Sequence, residues 1–465
     1  MKKVLYGIGL FMAAGVLLGG CAGRGENSQD TAGAETAGDV AESTETAGES
    51  AEETVEAAED TAEIAGAEQE KDVETEAANE TAAQEEDAAS GQNAAIDSEA
   101  LAFVQDMKIG WNLGNTFDAI DYPGLTDDLK YESCWCNAVT TKEMIDTLKE
   151  AGFQTIRIPV SWHNHLTSEA TPSVDLIDEN HGIREVWIDR VQEVVDYAID
   201  NGMYVIINIH HDNSEEYLYP SSELLEQSIT YITDIWRQVA ERFKDYDEHL
   251  IMESMNEPRL VCTDNEWWLD MNKDACKDAV ECINQLNQEF VDVVRSSGGK
   301  NAERYLMVPG YAASLDGVTN SYFSLPEDIA ENQNKILVSV HAYTPYAFAL
   351  QASGESGSKD TFDANSSSST SDIDWLMKKL YNTFIQNGTG VVIGEFGARD
   401  KDGNTQARAD FSAYYVEAAR AKGITCCVWD NNAFKGDGER FGLFDRNALE
   451  FPYPEILESL MENCE

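Results

Sequence analysis

The sequence predicts an α/β protein, a (β/α)8 or TIM barrel that occupies residues 101–465 of the 465-residue chain. Three observations predict this fold: eight short apolar segments, helix-like stretches between most of them, and polar residues where the segments end. Strands that alternate with helices over this length are typical of a parallel sheet closed into a barrel. A doubly wound open sheet is the alternative, but no glycine-rich phosphate loop follows any early strand.

The predicted strands are rich in Val and Ile, and their lengths suit buried parallel strands. They are residues 108–113, 155–161, 204–210, 250–255, 305–309, 336–341, 390–395 and 424–429. Helical patterns cover residues 141–151, 185–201, 223–244, 274–297 and 406–422. Thr140 is a candidate N-cap, and Gly152, Gly202 and Gly423 follow predicted helix ends.

Residues 1–20 read as a secretory signal of the lipoprotein type. Lys2 and Lys3 precede an apolar run over residues 4–18, which is short for a membrane-spanning helix. The segment Leu18-Gly19-Gly20-Cys21 resembles the bacterial lipobox, in which the cysteine is lipidated. An ordinary signal peptide that happens to precede a cysteine is the alternative. The lipobox predicts an extracellular protein held at the bacterial cell surface by a lipid on Cys21.

Residues 21–100 predict a disordered linker rich in Ala, Glu and Thr. Residues 22–100 contain no Phe, Trp, Tyr or Leu, and their 24 acidic and two basic residues give a net charge of −22. Such a segment cannot bury enough apolar surface to offset the entropy of ordering. The whole chain carries a net charge of −54, which excludes nucleic-acid binding and polybasic membrane contacts. Membrane contact is therefore expected only through the lipid.

Polar residues at the carboxyl ends of six predicted strands indicate an active site, because these ends share one rim of a barrel. The candidates are Arg157, His210, Asn256, Glu257, His341, Tyr343, Glu395 and Trp429.

Side-chain alternation predicts which of these residues face the barrel interior. Ile156 and Ile158 should pack against helices, so Arg157 points inward. The same count places His341 inward, and it places Val391, Ile393 and Glu395 together on one face. It also makes His211 point away from His210.

Two glutamates at the ends of separate strands suit glycosidic bond cleavage, in which one carboxylic acid protonates the leaving oxygen and one carboxylate meets the anomeric carbon. Burial beside a second carboxylate should raise the pKa of the acid, while Arg157 keeps Glu395 charged.

Glu253 is expected to be an interior partner for Arg157 or a histidine. Asn112 and Asn115 either reach the sugar or serve in a structural turn. The alternative for Glu257 and Glu395 is a structural role as paired carboxylates.

Seven motifs carry a resemblance to family 5 glycoside hydrolases, most closely to the subfamily 4 endoglucanases. They are GWNLGNTFDA, TIRIPVSW, INIHHD, IMESMNEPR, VHAYTPYAF, IGEFGA and VWDNN. The resemblance implies a retaining mechanism on β-1,4-glucan with Glu257 as acid/base and Glu395 as nucleophile.

The resemblance also implies roles for the other candidates. Arg157 would support the nucleophile, and Asn256 would bind the 2-hydroxyl of the sugar in subsite −1. His210, His341 and Tyr343 would line that subsite, and Trp429 would lie beneath the sugar. Asp212 stands where many relatives have Glu.

Alternative substrates for the same site are xyloglucan, mixed-linkage glucan (a lichenase) and mannan, and the non-enzymatic alternative is a surface glycan-binding lipoprotein. We expect a monomer that needs no cofactor or metal; His210 and His211 should point apart, which argues against metal binding there. Some of the surface aromatics in loops after the strands should line an open cleft: Trp135, Trp162, Tyr217, Tyr219, Trp267 and Trp268. For Trp267 and Trp268 the alternative is that they anchor the following helix.

Overall fold

The computed structural model describes residues 98–167, 180–329, 332, 334–436 and 438–464. Eight parallel strands form a closed barrel in which each strand pairs with its neighbours in sequence and the last pairs with the first. The strands are β1 (Ile109–Leu113), β2 (Thr155–Ile158), β3 (Tyr204–Asn208), β4 (Leu250–Glu253), β5 (Leu306–Pro309), β6 (Ile336–His341), β7 (Val391–Phe396) and β8 (Thr425–Asp430). The predicted (β/α)8 fold is confirmed, with a strand at each predicted position. The predicted signal peptide, Cys21 and nearly all of the predicted linker lie outside the described residues.

Helices surround the barrel. The longer ones are Lys142–Ala151, Glu185–Asp200, Leu225–Arg242, Asp274–Ser296, Ser367–Thr383 and Thr405–Arg420. The shorter ones are Glu99–Asp106, Asp128–Cys134, Leu315–Thr319, Tyr346–Ala349 and Pro454–Glu462. A small antiparallel pair, Leu166–Thr167 with Gly182–Ile183, lies outside the barrel. Among the described residues, none of these helices combines the length and apolarity that crossing a bilayer requires.

The five predicted helical stretches are all present, but one predicted cap is wrong. Thr141, not Thr140, caps the helix Lys142–Ala151, and its hydroxyl accepts a hydrogen bond from the amide of Met144. The amide of Thr140 instead donates to Glu132 Oε1 at 2.7 Å, which ties this residue to the preceding helix Asp128–Cys134. Gly152 ends the helix in the left-handed conformation at φ 114°.

The helix Glu99–Asp106 closes the amino-terminal end of the barrel. Val104 and Met107 join an interior apolar cluster with residues from six strands. The strand residues of this cluster are Tyr204, Ile206, Ile251, Met307, Leu337, Val392 and Cys427. The predicted domain boundary at residue 101 lies inside this helix, so the closing helix belongs to the packed unit.

The outer faces of the strands pack against the helices in one large apolar core. Ile156, Ile158 and Val160 belong to this core, whereas Arg157 between them is fully buried on the opposite face. The predicted alternation is therefore confirmed for β2. It places a cation inside the barrel, one layer above the apolar cluster.

Candidate active site

Arg157 is the centre of a buried network at the carboxyl end of the barrel. Its Nε donates to Glu253 Oε2 at 2.8 Å, and its Nη1 donates to Glu395 Oε1 at 2.8 Å. Nη1 also donates to Asn112 Oδ1 at 3.0 Å, and Nη2 donates to Asn256 Oδ1 at 2.8 Å. An arginine with two carboxylates and two amides keeps its charge in a buried site, and it fixes four side chains at once.

Glu253 contributes the second carboxylate of this network, as the sequence predicts. It is fully buried and accepts hydrogen bonds from Arg157, from Asn208 Nδ2 at 3.0 Å and from Ser339 Oγ at 2.5 Å. Asn112 is also fully buried, and its Nδ2 donates to the carbonyl of Gly394 at 2.9 Å. Of the two roles open to Asn112, its contacts match the structural one. Sequence reasoning missed Asn208 and Ser339 as members of this network, although both lie on predicted strands.

Glu395 reaches the rim through an irregularity in β7 that side-chain alternation does not predict. Val340 pairs with Ile393 and His341 pairs with Glu395, so Gly394 is an extra residue in β7. Val391 and Ile393 pack in the outer core, and Val392 lies in the interior cluster. The prediction that Val391, Ile393 and Glu395 share a face is therefore wrong. The bulge turns Glu395 inward despite its position in the alternation.

The carboxylate of Glu395 is held at both oxygens. Arg157 binds Oε1, and the hydroxyl of Tyr343 donates to Oε2 at 2.9 Å. The side chain of Glu395 is 7% exposed, so one edge still faces the cleft. These two contacts fix the orientation of the carboxylate, and His341 Nδ1 lies 3.7 Å from Oε1.

Glu257 lies in the loop after β4, and its Oε1 accepts a hydrogen bond from His341 Nδ1 at 2.8 Å. Burial raises the pKa of Glu257, but the hydrogen bond and the charge of His341 outweigh burial, so that the pKa of Glu257 is lowered. Burial lowers the pKa of His341. The charge of Glu395 and the hydrogen bond to Glu257 outweigh burial, so that the pKa of His341 is raised above its usual range. The expectation of a raised pKa for Glu257 is wrong for the substrate-free protein, because it omitted the histidine.

The carboxylates of Glu257 and Glu395 face each other across His341. One oxygen of each and one ring nitrogen of His341 lie within 4.8 Å of one another. Retaining glycosidases hold their two carboxyl groups about 5–5.5 Å apart, whereas inverting enzymes separate them by about 6.5–9.5 Å to admit a water. The facing oxygens of Glu257 and Glu395 lie within 4.8 Å, closer than the wider spacing that admits a water.

His210 and Trp429 lie next to each other with stacked rings. Their rings are parallel within 4°, with centroids 6.0 Å apart. Asn208 Nδ2 lies 3.2 Å from His210 Nδ1, so that nitrogen acts as acceptor and the proton belongs on Nε2. Gly114 permits the position of Trp429, because a Cβ at residue 114 would stand 2.7 Å from the indole ring.

His211 does not point away from His210 as predicted. The two rings are 4.4 Å apart, and ligand atoms of His210, His211 and Asp118 lie within 4.8 Å of one another. Alternation fails here because His211 follows the end of β3. Asp118 accepts backbone hydrogen bonds from Asn115 and Thr116, which occupy its oxygens.

Asp212 is a buried hydrogen-bond acceptor for residues of the neighbouring loop and helix. It accepts hydrogen bonds from the amides of Trp162 and His163 and from the hydroxyl of Tyr231 at 2.7 Å. The ring of His163 lies between Asp212 at 3.0 Å and Asp121 at 3.5 Å. Burial lowers the pKa of His163, but the two aspartates outweigh burial and raise it to about 9.

Four of the six predicted cleft aromatics retain exposure, and two do not. Trp162 is 1% exposed, and its indole nitrogen donates to the carbonyl of Asn208 at 3.0 Å. Tyr219 is also buried. Trp267 and Trp268 are 45% and 49% exposed. Trp162 and Tyr219 are therefore not surface aromatics, and the predicted exposed position is wrong for these two.

Comparisons with known proteins agree with this geometry. Residues 122–435 match the model of the family described as cellulase (glycosyl hydrolase family 5). Endoglucanase 1 of Ruminococcus albus is 41% identical over 370 residues, which cover 79% of this chain and 82% of that protein.

Two solved structures extend the comparison. A GH5 family lichenase from Caldicellulosiruptor sp. F32 shares 58% identity with a TM-score of 0.76, covering 79% of this chain and 96% of the other. A GH5-4 broad specificity endoglucanase from Ruminococcus champanellensis with bound cellotriose shares 43% identity with a TM-score of 0.69, covering 78% and 98%. The chain therefore belongs to glycosyl hydrolase family 5, the cellulase family, and is a glycoside hydrolase.

Proposed function

We propose that this protein is a retaining endo-β-1,4-glucanase that cleaves internal bonds of plant cell-wall β-glucans with Glu395 as nucleophile and Glu257 as acid/base. The observation that carries the proposal is the pair of carboxylates, with oxygens within 4.8 Å and separate supporting partners. Endoglucanases among the relatives support the activity class.

In the first step, Glu395 attacks the anomeric carbon as the bond to the leaving oxygen breaks. Glu257 gives its proton to that oxygen. Arg157 and Tyr343 hold Glu395 in its charged form and aim one oxygen at the carbon. Glu257 takes up its proton when a sugar fills the cleft, because excluding water strengthens the repulsion from Glu395.

In the second step, Glu257 takes a proton from water, and the water oxygen attacks the anomeric carbon and releases Glu395. The lowered pKa of Glu257 in the substrate-free protein suits this base role, since His341 stabilises the carboxylate. Asn256, fixed by Arg157, is placed to bind the 2-hydroxyl, and Trp429 offers a ring for the apolar face of the sugar.

The substrate proposal rests on the relatives. The 58% identity to a lichenase and the broad specificity of the endoglucanase neighbour support activity on both mixed-linkage glucan and β-1,4-glucan. Xyloglucan and mannan remain the alternative substrates of the same site. A panel of carboxymethylcellulose, barley β-glucan, xyloglucan, xylan and glucomannan separates these possibilities. We expect barley β-glucan to release reducing ends fastest, and a rate highest on glucomannan would contradict the proposal.

The mechanism is tested with Glu395→Ala and Glu257→Gln in the full chain. Each variant should lower hydrolysis of barley β-glucan by about 10³-fold or more. NMR of the first products should show the β-anomer, as retention requires. Near-wild-type activity in either variant, or an initial α-anomer, would show the assignment to be wrong. The non-enzymatic glycan-binding alternative predicts tight glucan binding without any release of reducing ends.

We also propose that the enzyme is displayed outside the cell on a lipid attached to Cys21 and acts as a monomer. The support for display is the lipobox-like segment and the acidic composition of the residues that follow it. Cys21→Ala should move the protein from the membrane fraction to the medium, and unchanged fractionation would refute the anchor. Sedimentation of that variant measures the oligomeric state.

A further inference from the structure

Arg259 lies two residues after Glu257 and contacts it twice. Its Nη1 donates to the backbone carbonyl of Glu257 at 2.9 Å and lies 3.6 Å from Glu257 Oε2. The first contact is a hydrogen bond, and the second is an ion pair too long for one. Each oxygen of Glu257 therefore faces a different nitrogen group: His341 at Oε1 and Arg259 at Oε2.

Two further side chains hold Arg259 at this distance. Glu266 Oε1 lies 3.3 Å from its Nε, and the ring of Trp267 lies against the guanidinium with 3.9 Å to the ring centroid. Glu266 is itself fixed, because its Oε2 accepts the amide of Cys262 at 3.1 Å. The side chain of Arg259 is only 14% exposed, so solvent screens these contacts incompletely.

The backbone of Arg259 is fixed as well. Its amide donates to Asn213 Oδ1 at 2.9 Å, and Asn213 Nδ2 donates back to its carbonyl at 2.9 Å. This reciprocal pair joins the loops after β3 and β4. Arg259 is thus a rigid cation whose distance from Glu257 is set by other residues.

We propose that Arg259, held by Glu266 and Trp267, is a positioning residue that fixes the Glu257 carboxyl group and favours its ionised form in the second step of the reaction. This inference rests on the proposed function, in which Glu257 alternates between acid and base. A cation bonded directly to Oε2 would oppose the acid role. The guanidinium of Arg259 lies 3.6 Å from Oε2 and does not hydrogen-bond to it. Oε2 can therefore hydrogen-bond to the leaving oxygen in the first step or to the attacking water in the second.

Several other groups act on Glu257 and stay unchanged in the experiment. They are His211, His341, Tyr343, Glu395 and Glu439. The variants therefore alter only the pair Arg259 and Glu266.

The test is the pH profile of kcat/KM on barley β-glucan, whose basic limb reports loss of the proton from Glu257. Arg259→Met should move this limb to higher pH by roughly half a unit or more, because a neighbouring positive charge is lost. Glu266→Gln should move it to lower pH, since a negative charge is lost and Arg259 is freed toward Glu257. Arg259→Lys should leave the limb near its wild-type position.

An aryl β-cellobioside with a dinitrophenolate leaving group isolates the second step, because its departure needs no acid. Arg259→Met should show slower steady-state turnover after a burst of phenolate, as expected when deglycosylation loses an ionised base. Arg242→Met is the matched control, because it removes a cation paired with Glu185 and Asp189 on the outer helices. Thermal unfolding confirms that each variant is folded.

The outcomes separate the two proposals. Opposite shifts in Arg259→Met and Glu266→Gln support the inference. A basic limb that stays in place in Arg259→Met, or that moves equally in Arg242→Met, overturns it. Glu257→Gln is measured in parallel, and if it keeps wild-type glucan hydrolysis the proposed function itself fails.

Discussion

The interior of the barrel contains two layers of side chains with opposite chemistry. Near the amino-terminal end, Ile206, Leu337 and Val392 pack with the closing helix Glu99–Asp106 and present only apolar groups. One layer above, Arg157 and Glu253 are fully buried and charged. Both layers lie on the same strands: Ile251 belongs to the lower layer, and Glu253, two residues further along β4, belongs to the upper layer.

The difference shows how the barrel combines stability with chemistry. The lower layer needs only shape and volume, because apolar burial is non-directional. Charged side chains can be buried in the upper layer only because each has hydrogen-bonded partners. Removing one partner leaves the others buried without compensation. Substitutions in the two layers should therefore affect different properties.

Arg157→Met should have the largest effect. It leaves the carboxylates of Glu253 and Glu395 buried without their cation, at a cost of about 3–5 kcal/mol in the free energy of unfolding. Glucan hydrolysis should fall by about 10³-fold or more, because the nucleophile loses its support. Urea unfolding and a reducing-end assay measure the two effects. A stable variant with impaired activity alone would show that the network does not contribute to folding.

Leu337→Ala should reduce stability without altering the chemistry. Leu337 is fully buried in the lower layer, and a Leu→Ala change of this kind costs about 2–5 kcal/mol. The pH profile and kcat should stay at wild-type values below the unfolding temperature. Leu449→Ala is the matched control, since Leu449 is 37% exposed. A changed pH profile in Leu337→Ala would show that the layers are coupled.

Glu253→Gln should have an intermediate effect, because the side-chain volume is kept and one charge is lost. We expect the free energy of unfolding to fall by about 1–3 kcal/mol, the range for a weakened buried hydrogen bond to a charged partner. Activity should fall less than in Arg157→Met, because Arg157 still binds Glu395. An activity loss equal to that of Arg157→Met would assign Glu253 a direct part in the reaction.

The effect of His163→Gln on stability should depend on pH and vanish at high pH. The pKa of His163 is raised to about 9 in the folded protein by Asp121 and Asp212, despite burial. The stabilisation is complete below the unfolded pKa of about 6.5 and is lost as pH rises through about 9. Wild type and variant should therefore differ by up to about 3 kcal/mol at pH 6 and converge near pH 10. Equal differences at both pH values would contradict a charged His163.

The sequence alone was sufficient to predict the barrel, its strands and the rim at which the candidate residues lie. Strand positions follow from local runs of Val and Ile, and the rim residues follow each run directly. Arg157 could be placed inward because β2 is regular, so that alternation on Ile156 and Ile158 determines its direction. These features depend on residues that are close together in the chain, so they can be predicted from the local sequence pattern.

Only the tertiary structure determined the direction of the Glu395 side chain and the pKa of Glu257. Glu395 turns inward because Gly394 is an extra residue in the pairing with β6, which no alternation rule contains. The lowered pKa of Glu257 depends on His341, which is 84 residues away in the chain and 2.8 Å away in space. Trp162 is buried because its indole meets the carbonyl of Asn208 on the next strand. Contacts between distant strands set these properties, whereas local pattern sets the strands that make the contacts.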